Sequence, residues 1–171
     1  MTGVHPLVFE EIGPAHAGAL HELWSDPEVV RLTNWELTSS AEDAAQRIGR
    51  LRSRYGSEPN RLGPYVATDT ECGVVGLVGI DFVAGEHEVW YLVPRRLWGR
   101  GYGSGLLGGI VQRAAGRTYG KLVATAVVDN VASWKLLERH GFRRTATLAA
   151  GFQRHGIVAD LYRYERAGPF Q

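Results

Sequence analysis

The sequence predicts one α/β domain spanning residues 1–171, built on a mixed, mostly antiparallel sheet flanked by helices, and three observations predict it. Between residues 65 and 93 the runs YVATD, VVGLVGIDFV and HEVWYLV are rich in β-branched and aromatic residues and are joined by the turn-like segments TECG and AGEH, as consecutive antiparallel strands are. Next, a glycine-rich stretch, WGRGYGSG (98–105), separates the strand-like VWYLVP from the helix-like LLGGIVQRAAG. Finally, the strand-like KLVATAVV leads into DNVASWKLLERHGF (129–142), which reads as a helix, and two more strand-like runs close the chain.

Taken in order, LVFEEIG (7–13) alternates as a strand does, and Pro14 opens a helix whose apolar positions Ala17, Leu20 and Leu23 or Trp24 recur at helical spacing. Ser39 and Glu42 have the spacing of a capping box ahead of AEDAAQRIGRLRSRY, which predicts a second helix. GSEPNRLG is a loop, and the three strands follow it. Apolar periodicity restarts at Leu106, so the helix beyond the glycines is expected to begin there. Asn130 and Ser133 mark another helix start, and Gly141 stops that helix before Phe142 opens a strand. TATLAAGFQRHGIVADLYRYER holds two strands around a turn near Arg154 to Gly156. No repeat, linker or low-complexity segment interrupts this order.

Composition narrows the class. At 171 residues and 44% hydrophobic the chain has enough apolar side chain for a two-layer core. Its formal net charge of +1 argues against a nucleic-acid binder that depends on bulk charge. Lysine occurs only as Lys121 and Lys135, so most of the positive charge is arginine. There is no apolar run of the roughly 20 residues a membrane span needs, and MTGVHPLVFEE lacks a signal peptide's basic and apolar regions. Cys72 stands alone, which excludes a disulfide framework and suits a reducing cytoplasm. As a nucleophile it has no partner base identifiable in the sequence. No metal-ligand spacing is present.

A glycine turn at a helix start carries outward-pointing N–H groups, which favour a polyphosphate. Gly101, Gly103 and Gly105 can take positive φ and let the backbone close around phosphate oxygens. Glycines also punctuate turns that bind nothing, so the longer pattern decides. Together, EVWYLVPRRLWGRGYGSGLL and DNVASWKLLERHGF resemble the strand, pyrophosphate loop and helix, and the N-x-x-S helix ending in G-F, of the GNAT superfamily of acyl-CoA N-acyltransferases, in its RimJ/RimL-like branch. The likeness is strongest from about 74 to 165; before that, TNWELTSSAEDAAQRI is similar to the branch's opening helices.

This resemblance implies an acetyl-CoA-dependent N-acetyltransferase in which a primary amine attacks the thioester directly. Family loops carry Gln or Arg, two free positions, Gly, one free position, then Gly or Ala. Both Arg96-x-x-Gly99-x-Gly101 and Trp98-x-x-Gly101-x-Gly103 fit that pattern. A helix start at Leu106 selects the second, with Trp98 in the polar position and Arg100, Gly101, Tyr102, Gly103, Ser104 and Gly105 forming the backbone cradle. Arg95, Arg96 and Arg100 flank the phosphates, Arg100 from inside the loop. The resemblance further implies that pantetheine lies between the strand ending at Val93 and the strand from Leu122 to Val128. A backbone N–H near Leu92 would polarise the thioester carbonyl, Asn130 would bond the pantetheine arm, and Ser133 would meet the leaving thiolate, directly or through water. Asn130 is also a good helix cap on its own. Some families place a tyrosine about three residues past this serine as general acid; here Leu136 and Leu137 stand there.

Glu88 is the leading general base. On a strand Glu88, Trp90 and Leu92 share one face, and Val89, Tyr91 and Val93 the other, so the glutamate can face a cleft while the alternate set packs. It matches the Glu of the branch's E-I-G-Y strand, and a water-poor wall such as Trp90 would raise its pKa toward a useful range. A solvated strand residue is the plainer alternative. His87 and Asp81 are secondary base candidates, with His87 on the opposite face if the strand is regular. Trp35 and Trp90 could form an aromatic wall at the acceptor, with Asn34 or Glu36 meeting the amine. The implied acceptor is a protein N-terminal amine or a small amine, and a homodimer is an assembly many members adopt. Two other classes compete. A nicotinamide enzyme would need G-x-G-x-x-G after a first parallel strand and an acidic residue about 20 positions on, whereas here the spacing is G-x-G-x-G and residue 121 is Lys. A non-catalytic acyl-CoA-binding sensor would keep the cradle without turnover.

Overall fold

In a computed structural model, which describes residues 6–170, the strands are β1 (Val8–Glu11), β2 (Leu62–Asp69), β3 (Gly73–Val83), β4 (Glu86–Leu92), β5 (Lys121–Val127), β6 (Arg143–Arg154) and β7 (Ile157–Ala167). They form one mixed sheet in the order β1-β2-β3-β4-β5-β7-β6. All neighbours are antiparallel except β4 and β5, which run parallel and share the single bridge Glu88–Val123. Parallel neighbours need a crossover, and it is supplied by the glycine loop and α4 (Tyr102–Ala114).

The remaining helices are α1 (Ala17–Ser25), α2 (Pro27–Val30), α3 (Ala41–Gly56) and α5 (Val131–Arg139). In α3 the buried residues Ala44, Ile48, Leu51 and Tyr55 recur every three or four positions, so the helix presents one apolar stripe. With α1 that stripe covers one sheet face in a core that includes Leu20, Trp24, Val66, Leu77 and Leu92. On the other face Leu106, Leu107 and Ile110 of α4 and Leu137 of α5 pack against Val78, Ile80, Val89 and Tyr164. Burying each such large side chain contributes roughly 1.5–3 kcal/mol. A Cβ on Gly76 would stand 2.6 Å from the Leu92 carbonyl oxygen and 2.4 Å from Leu106 Cδ1, so glycine there lets α4 settle directly onto β3 and β4.

Every element expected from the sequence is present in the expected order, and the short α2 is additional; Pro14 opens a 3-10 turn ahead of α1, β2 begins at Leu62 within the expected loop, and the starts of α3 and α4 are shifted as well. The cap of α3 is Ser40, one residue later than Ser39: its side chain accepts from the Asp43 N–H at 3.1 Å, and Asp43 reaches back to the Ser39 N–H at 3.0 Å. The capping carboxylate is therefore Asp43, where the spacing had pointed to Glu42. Helix α4 starts at Tyr102, four residues before Leu106, because Gly101 in the left-handed region (φ 88°) turns the chain into the helix. Among the described residues no helix is long and apolar enough to cross a membrane.

Candidate active site

That early start of α4 changes the reading of the glycines. Gly99 and Gly101 have positive φ, whereas Gly103 and Gly105 lie in the first turn of the helix. A helix that begins directly after Gly101 fits Arg96-x-x-Gly99-x-Gly101, so the register built on Trp98 is corrected. Ser104 and Gly105 already donate to the Gly101 carbonyl, and Arg100 N–H donates to Leu97. The N–H groups of Gly101, Tyr102 and Gly103 come ahead of those bonds, at the positive end of the helix dipole. Tyr102 offers only its backbone here, since its buried side chain donates to Cys72 Sγ at 3.3 Å. Ser104 Oγ lies 2.7 Å from His140 Nε2. Arg96 is held near the loop by the Val74 carbonyl (3.2 Å) and Glu22, and Arg95 by Asp26, while Arg100 stands exposed in the loop. Exposed Trp98 donates its indole N–H to the Val93 carbonyl at 2.8 Å, which fixes the ring beside the end of β4.

Strand alternation divides the β4 side chains as expected. Trp90 and Leu92 join the core under α1 and α3, and Val89, Tyr91 and Val93 join the core under α4. Glu88, on the Trp90 face, is half-buried, and Thr125 Oγ1 on β5 donates to its Oε1 at 2.9 Å. Burial pushes the Glu88 pKa up, opposed by that hydrogen bond, and the neighbouring Asp81 carboxylate adds to the rise. Asp81 is paired with Arg54 and Arg61, which occupy its two carboxylate oxygens and leave neither to take up an amine proton. His87 lies on the opposite face, stacked on Tyr119 with ring centroids 3.9 Å apart; burial lowers its pKa, and its Nε2 is buried without a hydrogen-bond partner.

Beside Glu88, the Trp35 and Trp90 rings meet at 5.0 Å, Trp35 stacks on Trp24 at 5.5 Å, and the Trp90 indole donates to Tyr55 at 2.8 Å. The loop carrying Trp35 is tied from two directions. Arg47 of α3 donates to the Glu36 carbonyl at 2.6 Å, and the β6–β7 hairpin tip supplies Arg154 to the Glu36 carboxylate at 3.1 Å and His155 to the Thr33 carbonyl at 3.2 Å. Glu36 is thus engaged in holding the wall together, and Asn34 stands exposed.

Across β4, Asn130 caps α5, its Oδ1 accepting the Ser133 N–H at 3.3 Å. Ser133 Oγ lies 2.9 Å from the Tyr91 hydroxyl. Thr125 and Tyr91 are the two site residues the sequence reading passed over. Each touches its partner from a distant position in the chain, and the signals available were weak: a lone hydroxyl in an apolar strand, and a tyrosine beside the Glu88 strand positions. Glu88 and Ser133 therefore lie on opposite sides of β4, bracketing the place where β4 and β5 part after their single bridge.

Residues 7–143 match the model of the acetyltransferase (GNAT) domain. An uncharacterized N-acetyltransferase p20 of Bacillus licheniformis is 28% identical over 153 residues, covering 86% of this chain and 85% of that protein. Among solved structures, spermidine N-acetyltransferase from Vibrio cholerae, in complex with CoA and spermine, superposes with a TM-score of 0.79 at 16% identity, covering 95% of each chain. RimL, a ribosomal L7/L12 alpha-N-protein acetyltransferase in complex with coenzyme A, superposes with a TM-score of 0.78 at 20% identity, covering 95% of this chain and 94% of that one.

Proposed function

The chain belongs to the GNAT acetyltransferase family, and on that premise we propose that it is an acetyl-CoA-dependent N-acetyltransferase acting on a primary amine by direct attack. The observation that carries this reading is the half-buried Glu88 carboxylate, held by Thr125 of β5 at the single bridge between β4 and β5. A thioester is already activated, so the protein has to align two substrates and manage one proton.

In this reading the N–H groups at the start of α4 take the pyrophosphate of CoA, with Arg100 and Arg96 beside it. Pantetheine lies along Leu92 and Val93 in the gap between β4 and β5, and Asn130 meets its amide arm. A backbone N–H near Leu92 stabilises the oxyanion as the amine attacks. Glu88 takes the amine proton through its free Oε2, and its raised pKa makes it a better acceptor than an exposed glutamate. Ser133 meets the departing sulfur. Trp35 and Trp90 wall the acceptor side, an aromatic surface that suits a cationic or apolar amine.

The EVWY strand and the N-x-x-S helix favour the RimJ/RimL-like branch, whose acceptors are protein N-terminal amines; a small amine is the alternative acceptor. Thiol release from acetyl-CoA, measured against small amines, aminoglycosides and peptides with free N-termini, tests both the activity and the acceptor. Turnover with one class identifies the acceptor. Tight acetyl-CoA binding with no thiol release across the panel would instead support a non-catalytic acyl-CoA sensor.

A further inference from the structure

Tyr91 has no part in the chemistry described above, yet its position is specific. It projects from β4 on the face opposite Trp90, and its hydroxyl lies 2.9 Å from Ser133 Oγ and 3.3 Å from the Ser133 carbonyl oxygen. The pair links β4 to the first turn of α5, spanning strands that share only the Glu88–Val123 bridge. Burial pushes the Tyr91 pKa up to about 12, with the Ser133 bond opposing it, so the phenol keeps its hydrogen at any neutral working pH.

One phenolic hydrogen and two acceptors on the same residue give two arrangements. If the hydrogen points to the carbonyl, the phenolic oxygen accepts from the serine hydroxyl, which is then turned inward. If it points to Oγ, the serine's own hydrogen is free to face the gap. A negatively charged sulfur in the gap selects the second arrangement, because hydrogen bonds to ions are the stronger ones. Bonds in such a chain also polarise one another.

Resting on the acyltransfer reading above, we propose that Tyr91 is a positioning residue that acts through Ser133, donating to Ser133 Oγ so that the serine hydroxyl is presented to the sulfur leaving the acyl donor. The C–N bond forms first, placing negative charge on the carbonyl oxygen; as the carbonyl re-forms the C–S bond breaks, and its electron pair stays on sulfur. Glu88 takes the amine proton, Tyr91 and Ser133 keep theirs, and water protonates the thiolate once it leaves the hydroxyl. This arrangement supplies sulfur stabilisation in a chain where Leu136 and Leu137 stand just past the serine.

The test uses Y91F, S133A and the double variant, each with wild-type protein as reference. Two readouts apply: kcat with a verified amine, and the ultraviolet thiolate absorbance of protein-bound CoA as pH is varied. In the wild type the bound thiol should titrate below the free thiol value of about 8.5. Y91F should move that midpoint upward and lower kcat by about tenfold, the effect of one modest hydrogen bond, with the KM for acetyl-CoA little changed. S133A should do at least as much, and the double variant no more than S133A. A Y91F midpoint equal to the wild type's, or a Y91F loss that persists in full on the S133A background, would overturn the proposal. Failure of wild-type protein to bind CoA at all would remove the acyltransfer reading itself, a result distinguishable from either.

Discussion

Replacing Glu88 by glutamine isolates the proton acceptor. The amide keeps the shape of the side chain, and its oxygen can still accept from Thr125, which lies 2.9 Å away in the native protein. What disappears is the charge. No neighbour can substitute: Asp81 is committed to Arg54 and Arg61, and His87 points to the other face of the strand. Lost general-base catalysis costs roughly 10² to 10⁴ in rate, or about 2.7–5.5 kcal/mol of transition-state stabilisation, and the lack of a substitute places this site in the upper half of that range. kcat/KM for the amine should therefore fall by about 10³ at pH 7, with acetyl-CoA affinity by calorimetry nearly intact. The deficit should shrink as pH rises and more of the acceptor amine is already neutral. Stability should move the other way. Burial raises the Glu88 pKa in the folded state, so its contribution to stability is complete below the unfolded value of about 4.3 and is lost as pH rises through the folded pKa. The glutamine variant escapes that loss and should melt above the wild type at pH 7 but not at pH 4. Wild-type rates from pH 6 to 9 with a verified acceptor would refute the assignment, leaving alignment, water and the backbone oxyanion site to account for catalysis.

Further outcomes follow from the cradle and the core. Acetyl-CoA should raise the melting temperature while NADH does not, since a ligand stabilises the state that binds it; equal shifts from both would remove the acyl-CoA assignment. Gly103→Val should weaken CoA binding, because a β-branched side chain in the first turn of α4, its Cβ already 3.0 Å from Leu136 Cδ2, crowds the backbone where the phosphate approaches, and unchanged affinity in a folded variant would mean the phosphate loop lies elsewhere. His87→Phe replaces a ring whose buried Nε2 is unpartnered and should raise the melting temperature by about 2 to 10 °C. Since burial depresses the His87 pKa, the stability its neutral form contributes is present above about 6.5 and lost as pH falls through the folded value. The gain in the phenylalanine variant should accordingly be larger at pH 5 than at pH 8, and thermal melts at the two values check it.

The order of elements was legible because each one buries a face, and burial leaves a period in the chain. Ala44, Ile48, Leu51 and Tyr55 announce α3, and the alternation about Glu88 assigns the two faces of β4 correctly. Boundaries failed where burial says nothing. The first turn of α4 is Tyr-Gly-Ser-Gly, which has no apolar stripe, so the stripe from Leu106 gave a start one turn late. At α3 two serines precede two acids, and only the backbone geometry shows that Ser40 and Asp43 are the pair that caps. The meeting of Trp35 with Trp90 was foreseeable from their chemistry as wall-formers. Thr125 with Glu88 and Tyr91 with Ser133 join residues 37 and 42 positions apart, and no local pattern encodes such contacts.

The lone bridge between β4 and β5 also divides the sheet into two panels. Strands β1 to β4 are stitched by antiparallel ladders, as are β5 to β7, and what fastens one panel to the other is that bridge, the side chains that span it, and the contact between α4, which packs on β3 and β4, and α5, which packs on β5 and β6. Extending the β4–β5 ladder by further hydrogen bonds would strengthen the molecule and shut the slot in the same stroke. The fold thus forgoes cohesion at its centre, and a stabilising substitution there is the one kind that selection for activity would be expected to reject.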